Sequence, residues 1–442
     1  MTNIALLIFA VTITLVIWGI IDRSLVALIG ALALGFTGVL SLEQAVHYVD
    51  WDVISILLGM WILAEYLSGA GLSDLIVSWA SRKSNDYLKF LFTVAIISGF
   101  LSLFVDNVLI VVLFGGIIAE SSRKAGLDPL LPVLLVSLNA NFMGTALLLG
   151  DLPPQLLHSV AGAEFNDFIW MNGKPSSFPL LTITYLVLNA ILYTWMKNRM
   201  NHVSGLALQG ISVERSVRDS NKSLQLKVSI LIFVLTIIGM AYRREISSLL
   251  GFDVKLGEIA LLGGLSMAAV AEVSRVTGRE MDSFENVLGR IEWSALLFYI
   301  SLFILVGGLV ETGFIDEAAR KMISLTTGHG TLYAYSILYW FTGLSASVIE
   351  HDALILSLFN IIKDLATATG INPWPLYWSV AWSGTLGSNA TMAGAPAIFV
   401  GVTIASRVSG RKYGGFDILK YTIPYAVLSL LIQYLISIVF WA

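Results

Sequence analysis

From Ile4 to Trp441 the chain is a train of apolar runs, each close to the length of one membrane crossing. That feature decides the fold class. Within hydrocarbon every backbone N–H and C=O must be bonded internally, which leaves helices and closed barrels. The runs are continuous rather than alternating in polarity, so helices are expected, at about 20 residues per crossing. Composition agrees: 57% of residues are apolar and 13% charged, against about 25% charged in soluble domains. The formal net charge of −4 gives no reason to expect a nucleic-acid partner, and the absence of cysteine removes disulfides, thiolate metal sites and cysteine nucleophiles.

Eight runs read as plain spans: Ile4–Ile21, Ser24–Leu40, Val53–Leu67, Phe178–Met196, Val228–Ala241, Leu256–Ala271, Ala295–Val310 and Tyr421–Trp441. Leu72–Ala80 reads as a short amphipathic helix at the interface. Four segments have awkward lengths. Residues 87–119 and 331–362 are long for one crossing and short for two. The first is interrupted by Asp106-Asn107 and the second by Glu350-His351-Asp352. Both read as re-entrant hairpins, whose irregular tips survive at membrane depth only when protein surrounds them or they line a cavity. Residues 129–160 and 373–405 read as single crossings broken midway by Gly, Pro, Asn and Thr.

The halves match in order. Trp51, Gly71 and Asp74 correspond to Trp293, Gly313 and Asp316. After a two-residue slip, Asp106-Asn107 corresponds to Glu350-His351 and residues 144–151 to 388–395. The expected architecture is therefore an all-α polytopic membrane protein. It is an inverted repeat of about ten spanning helices plus two re-entrant hairpins and two broken helices. The first repeat covers 1–196, a cytoplasmic linker 197–227 and the second repeat 228–442. Basic residues test the topology, since they gather on the cytoplasmic side. With both termini outside and each hairpin returning to its own side, seven of the 26 Lys and Arg fall outside: Lys174, Arg243, Arg244, Lys255, Arg320, Lys321 and Lys363. The other 19, Arg23 among them, fall inside.

Paired interruptions in corresponding positions point to a secondary-transporter site. Ionisable residues at membrane depth cost about 2.5–3.5 kcal/mol on insertion scales and are functional candidates. Asp106 and Asn107 sit at the first tip, where a plain helix cap is the competing reading. Glu350, His351 and Asp352 sit at the second tip, where two carboxylates and an imidazole suit reversible proton binding; an outward-facing ion-pair cluster is the competing reading. Asp151 lies in the first break, beside Gly150, Pro153 and Pro154. Asn139, Asn141, Thr145, Thr385, Ser388, Asn389 and Thr391 add neutral ligands, with helix–helix hydrogen bonding as the alternative. His47, His158, His202 and His329 are scattered near loops and read as ordinary. No resident metal or cofactor is expected beyond a transported ion, and no basic residue is expected at membrane depth.

Ser102-Leu-Phe-Val-Asp106-Asn107, Gly144-Thr-Ala-Leu-Leu-Leu-Gly150-Asp151-Leu-Pro-Pro and Gly387-Ser-Asn-Ala-Thr-Met-Ala-Gly394-Ala resemble the hairpin tip and the two breaks of the ion transporter superfamily. The likeness is to its arsenite permease and NhaD-type antiporter branch, which carries a citrate-transporter-like domain. The resemblance implies a homodimer of protomers split into a scaffold and a moving transport domain. It also implies a site between hairpin tips and broken helices, and coupling to sodium or protons. The chain departs from that branch at Gln155, where relatives have Asn, and at Glu350-His351-Asp352, where many have a second Asp-Asn pair. It also lacks the Ser-Asn-Thr motif of dicarboxylate symporters, which argues against citrate or succinate.

The acids at the interruptions favour a cation, so the leading expectation is an elevator-like sodium–proton antiporter of the plasma membrane, with the bilayer and a small inorganic ion as its partners. The alternative is proton- or sodium-coupled transport of a small oxyacid or anion such as arsenite. A channel or intramembrane enzyme comes third, since no Ser/His/Asp spacing or His-Glu-x-x-His motif supports catalysis.

Overall fold

The computed structural model describes residues 1–18, 21–84, 86–199, 220–277, 281–326, 330–348 and 351–442. Most of the expected linker, along with His202, His329 and Glu350, lies outside the described residues. The first half contains α1 (Thr2–Trp18), α2 (Arg23–Phe36), α3 (Leu42–Tyr48), α4 (Trp51–Gly69), α5 (Leu72–Lys83), α6 (Tyr87–Leu101), α7 (Asn107–Lys124), α8 (Leu130–Gly144), α9 (Leu152–Ala161) and α10 (Ser177–Arg199). The second contains α11 (Ser220–Ala241), α12 (Arg243–Leu250), α13 (Leu256–Val276), α14 (Phe284–Leu288), α15 (Trp293–Glu311), α16 (Phe314–Thr326), α17 (Thr331–Ala346), α18 (His351–Thr369), α19 (Trp374–Ser388), α20 (Pro396–Ser409) and α21 (Gly415–Trp441). Among the described residues the strands form one two-stranded hairpin, β1 (Trp170–Met171) and β2 (Lys174–Pro175). Its turn is Asn172-Gly173, both left-handed at φ 52° and 76°, the geometry that tight hairpins demand.

Six described helices are long and apolar enough to cross a membrane: α4, α10, most of α11, α13, α15 and α21. The first two apolar runs form shorter helices of 17 and 14 residues. Both hairpins outrun their apolar stretches, α7 continuing to Lys124 and α18 to Thr369. Charged ends reach water there, and Glu120 and Arg123 pair at 2.7 Å within the last turns of α7, so polarity does not end the helix.

The repeat is plain in the element boundaries. Helices α4 and α15 begin 242 residues apart (293 − 51), and α8 and α19 begin 244 apart (374 − 130). α9 and α20 keep the same 244 (396 − 152). Packing is exchanged between halves: α2 lies on α15 while α13 lies on α4, and α7 lies on α20 while α18 lies on α9. Equivalent helices meet antiparallel. Asn141 of α8 bonds Ser388 and Asn389 while Thr145 bonds Thr385, so the registers run oppositely. In α10 and α21, Thr184 pairs with Gln433 at 2.6 Å, and Trp441 reaches back to the Pro175 carbonyl. A two-fold relation that reverses helix direction is an inverted repeat.

Polar contacts of two groups tie the helix ends together. One set joins Thr2 to Thr312, Gln44 to Glu311, Asp52 to His158, and Arg243 to Glu164. The other joins Arg290 to Glu65 and Asp282, and Tyr413 to Asp128. Close backbone approach seats the hairpins on the breaks. A Cβ at Gly150 would stand 2.1 Å from the Ser102 carbonyl, and at the equivalent Gly394 2.6 Å from the Ala346 carbonyl.

Candidate functional site

Four helix starts converge on one small cavity with room for about 30 Å³. The first tip supplies Asp106, Asn107 and Val108, the first break Asp151, the second tip His351 and Asp352, and the second break Pro396. The facing wall is Arg23 of α2, Trp61 of α4, and Glu292, Ala295 and Tyr299 at the start of α15.

Local rules explain how the acids are held. Asp106 is the N-cap of α7, its carboxylate accepting from the backbone of Val108 at 2.9 Å and Leu109 at 3.2 Å. The cap reading is thus realised, and the same residue also lines the cavity. Asp151 caps α9 in extended conformation and accepts from Leu152 N–H at 2.9 Å. Helix N-termini attract negative charge, and here the chain's own carboxylates meet it. Asn107 ties the two together, donating through Nδ2 to Asp151 Oδ2 and to Asn141 Oδ1, both at 2.9 Å.

Behind Asn107 a neutral network crosses the pseudo-two-fold. Asn141 donates to Ser388 Oγ at 3.1 Å and Asn389 Oδ1 at 3.2 Å, and the Thr145 and Thr385 hydroxyls are in direct contact. Every one of these groups is buried, where an unpaired polar group is costly. The network therefore holds the two breaks in one arrangement. At the second tip, His351 Nδ1 lies 3.0 Å from the Gly394 carbonyl and Nε2 lies 3.4 Å from Asp352 Oδ1.

Two of the expected neutral ligands stand apart. Asn139 donates to its own helix at Leu135 and accepts from Asn189 of α10. Thr391 caps its own loop and donates to the Ser347 carbonyl at 2.6 Å, tying the second tip to the second break.

Two residues carry more than the sequence reading gave them. Gln155 is 1% exposed and its Oε1 has no hydrogen-bond partner. It lines a smaller adjoining cavity with Asp106, Asp151, Leu149 and Gly150. Its place one turn after Asp151 on α9 was the available signal. Arg23, counted with the orienting loop residues, lines the main cavity, which corrects the expectation that no basic residue stands at the site. No local signal marked it, because α2 reaches the site only by packing on α15.

Among the described residues no three His, Asp or Glu side chains are placed to hold a metal ion. An ion here would meet mixed ligands: the Asp106 and Asp151 carboxylates, the Gln155 amide oxygen and backbone released from helical bonding at the break. Hard cations take such oxygen sets.

Comparison with known proteins agrees with this architecture. Residues 13–383 match the family described as Citrate transporter, CitMHS. An uncharacterized transporter of Mycobacterium tuberculosis is 26% identical over 421 residues, covering 92% of this chain and 91% of that protein. A 46 kDa membrane protein of Mycobacterium leprae is 25% identical over 440 residues, covering 97% and 96%. The human P protein is 26% identical over 498 residues, covering 97% of this chain and 58% of its own length. Among solved structures, the YdaH transporter of Alcanivorax borkumensis superposes with a TM-score of 0.54 at 14% identity, covering 99% and 97%. That likeness bears on the fold alone.

Proposed function

The chain belongs to the citrate transporter family, and from that premise we propose that this membrane transporter exchanges sodium for protons by alternating access. Family membership sets the class of activity and leaves the cargo open. The observation that carries the sodium reading is the convergence of Asp106, Asp151 and the unpartnered Gln155 Oε1 on one pair of adjoining cavities. A buried acceptor without a donor beside two carboxylates is a setting that a cation completes. Asp106 and Asp151 bind the ion, Asn107 orients Asp151, and the Asn141–Ser388–Asn389 and Thr145–Thr385 contacts keep the breaks in register. His351 and Asp352 take part in proton exchange from the second tip. The proposed setting is a homodimer in the plasma membrane with both termini outside.

A second reading has its own observation. Arg23 and four helix N-termini border the cavity, a setting that also suits a small oxyacid or anion such as arsenite. Purified protein in proteoliposomes with an internal pH dye separates the two. The expected result is proton movement on adding sodium or lithium and none on adding arsenite. No response to either cation, with arsenite uptake in the same vesicles, would overturn the sodium reading.

A further inference from the structure

The cavity wall opposite the hairpin tips carries one fixed cation. Arg23 opens α2, which packs on α15 and α1. Its guanidinium lies 5.2 Å from the centre of the Phe298 ring. Arg23 makes no ion pair within 4 Å among the described residues, although Asp106, Asp151, Asp352 and Glu292 all border the same cavity. A guanidinium stacked on an aromatic face keeps its charge and most of its donors available. The guanidinium thus shares one cavity with these carboxylates, and a positive charge beside them lowers their hold on any further cation.

We propose that Arg23 is an affinity-setting residue: a tethered counter-cation that competes with the transported ion for the Asp106–Asp151 site and keeps binding weak enough for release. The stack on Phe298 is its parked position in this state. Glu292, at the start of the same wall, works with the opposite sign. A bare acidic site would hold a cation tightly and turn over slowly. The wall charge trades affinity for exchange. This inference rests on the sodium–proton reading.

The test uses the full-length protein in proteoliposomes and reads sodium-driven proton movement across a range of sodium concentrations. Arg23→Gln is expected to lower the sodium KM by about tenfold, with a fall in maximal rate. Arg23→Lys is expected to restore the KM to within about twofold of native, since charge rather than shape is the operative property. Glu292→Gln is expected to move the KM the other way, up by about threefold. Opposite shifts from two neighbours are not produced by a general loss of structure, and the Glu292 and Lys variants keep the test alive where Arg23→Gln fails to fold. An unchanged or raised KM in Arg23→Gln, or a Lys variant that behaves like Gln, overturns the proposal. A native protein that moves no protons with sodium overturns the sodium reading itself. An oxyacid KM raised by Arg23→Gln in those vesicles would then make Arg23 an anion ligand and overturn the counter-cation role as well.

Discussion

The two halves of the molecule share a frame and differ in chemistry. Position by position, Asp106, Asn107, Asp151 and Gln155 of the first half correspond to Glu350, His351, Ala395 and Phe399 of the second. The first half has a carboxylate at its break and a buried amide one turn further on. The second has a methyl group at the break and a ring that is 58% exposed. The backbone contacts, by contrast, are kept: Gly150 and Gly394 face the carbonyls of Ser102 and Ala346 in the same way. Packing therefore constrains both halves alike, while the polar groups that open the helix after the break are found in the first. On the proposed reading the first half supplies the cation site, and the second tip takes the proton-binding role.

This comparison can be broken in several places. The largest expected effect is at the break. Asp151→Ala copies the second half, and sodium-driven proton movement in proteoliposomes is expected to fall by at least about 100-fold, because a charge in contact with the ion is lost in a low-dielectric setting. Near-native exchange in that variant would move the site out of the first half. Next come the paired glycines. Gly150→Ala and Gly394→Ala each force a Cβ against a backbone carbonyl that has little room to shift. Both are expected to destabilise the fold by about 2–3 kcal/mol, read as a fall in the unfolding midpoint in detergent. A large drop in one and none in the other would deny the shared frame.

Gln155→Leu keeps the volume and removes the amide oxygen. The sodium KM is expected to rise by about tenfold at an unchanged unfolding midpoint, since one ligand is lost and no hydrogen bond within the protein is broken. An unchanged KM would take Gln155 out of the site. The smallest effect is expected at its counterpart. Phe399→Ala truncates an exposed ring, and both the KM and the unfolding midpoint are expected to stay near native, the latter within about 0.5 kcal/mol.

Much of the fold was legible because a bilayer leaves a chain few options. Apolar runs near 20 residues, basic residues sorted 19 to 7, and two interrupted segments at matching positions led to hairpins and breaks that the structure reproduces. What misled was polarity at helix ends: the hairpins continue past their apolar stretches, since water-facing turns tolerate charge. The Trp170–Pro175 hairpin carried an Asn-Gly signal too short to stand out in a helical chain.

The site was legible in part, for a related reason. Asp106, Asn107 and Asp151 announce themselves as polar residues inside apolar runs, and Asn141 and Asn389 do so as residues beside the breaks. Asn139 carries the same chemistry two positions from Asn141, yet it faces α10, and helix phase alone does not say which of two buried faces meets the partner helix. Arg23 lay hidden because it begins a helix near a loop, where a basic residue usually sets orientation. By itself the sequence determined the membrane setting, the inverted repeat and the acids at the interruptions. These follow from local hydropathy and from the cost of burying charge, which act residue by residue. Only the tertiary structure decided which polar groups share one cavity, that Gln155, with an unpaired oxygen, lines a pocket with the acids, and that Arg23 stands across from them. Those depend on how helices 244 residues apart in the chain exchange partners, and no local pattern encodes that contact.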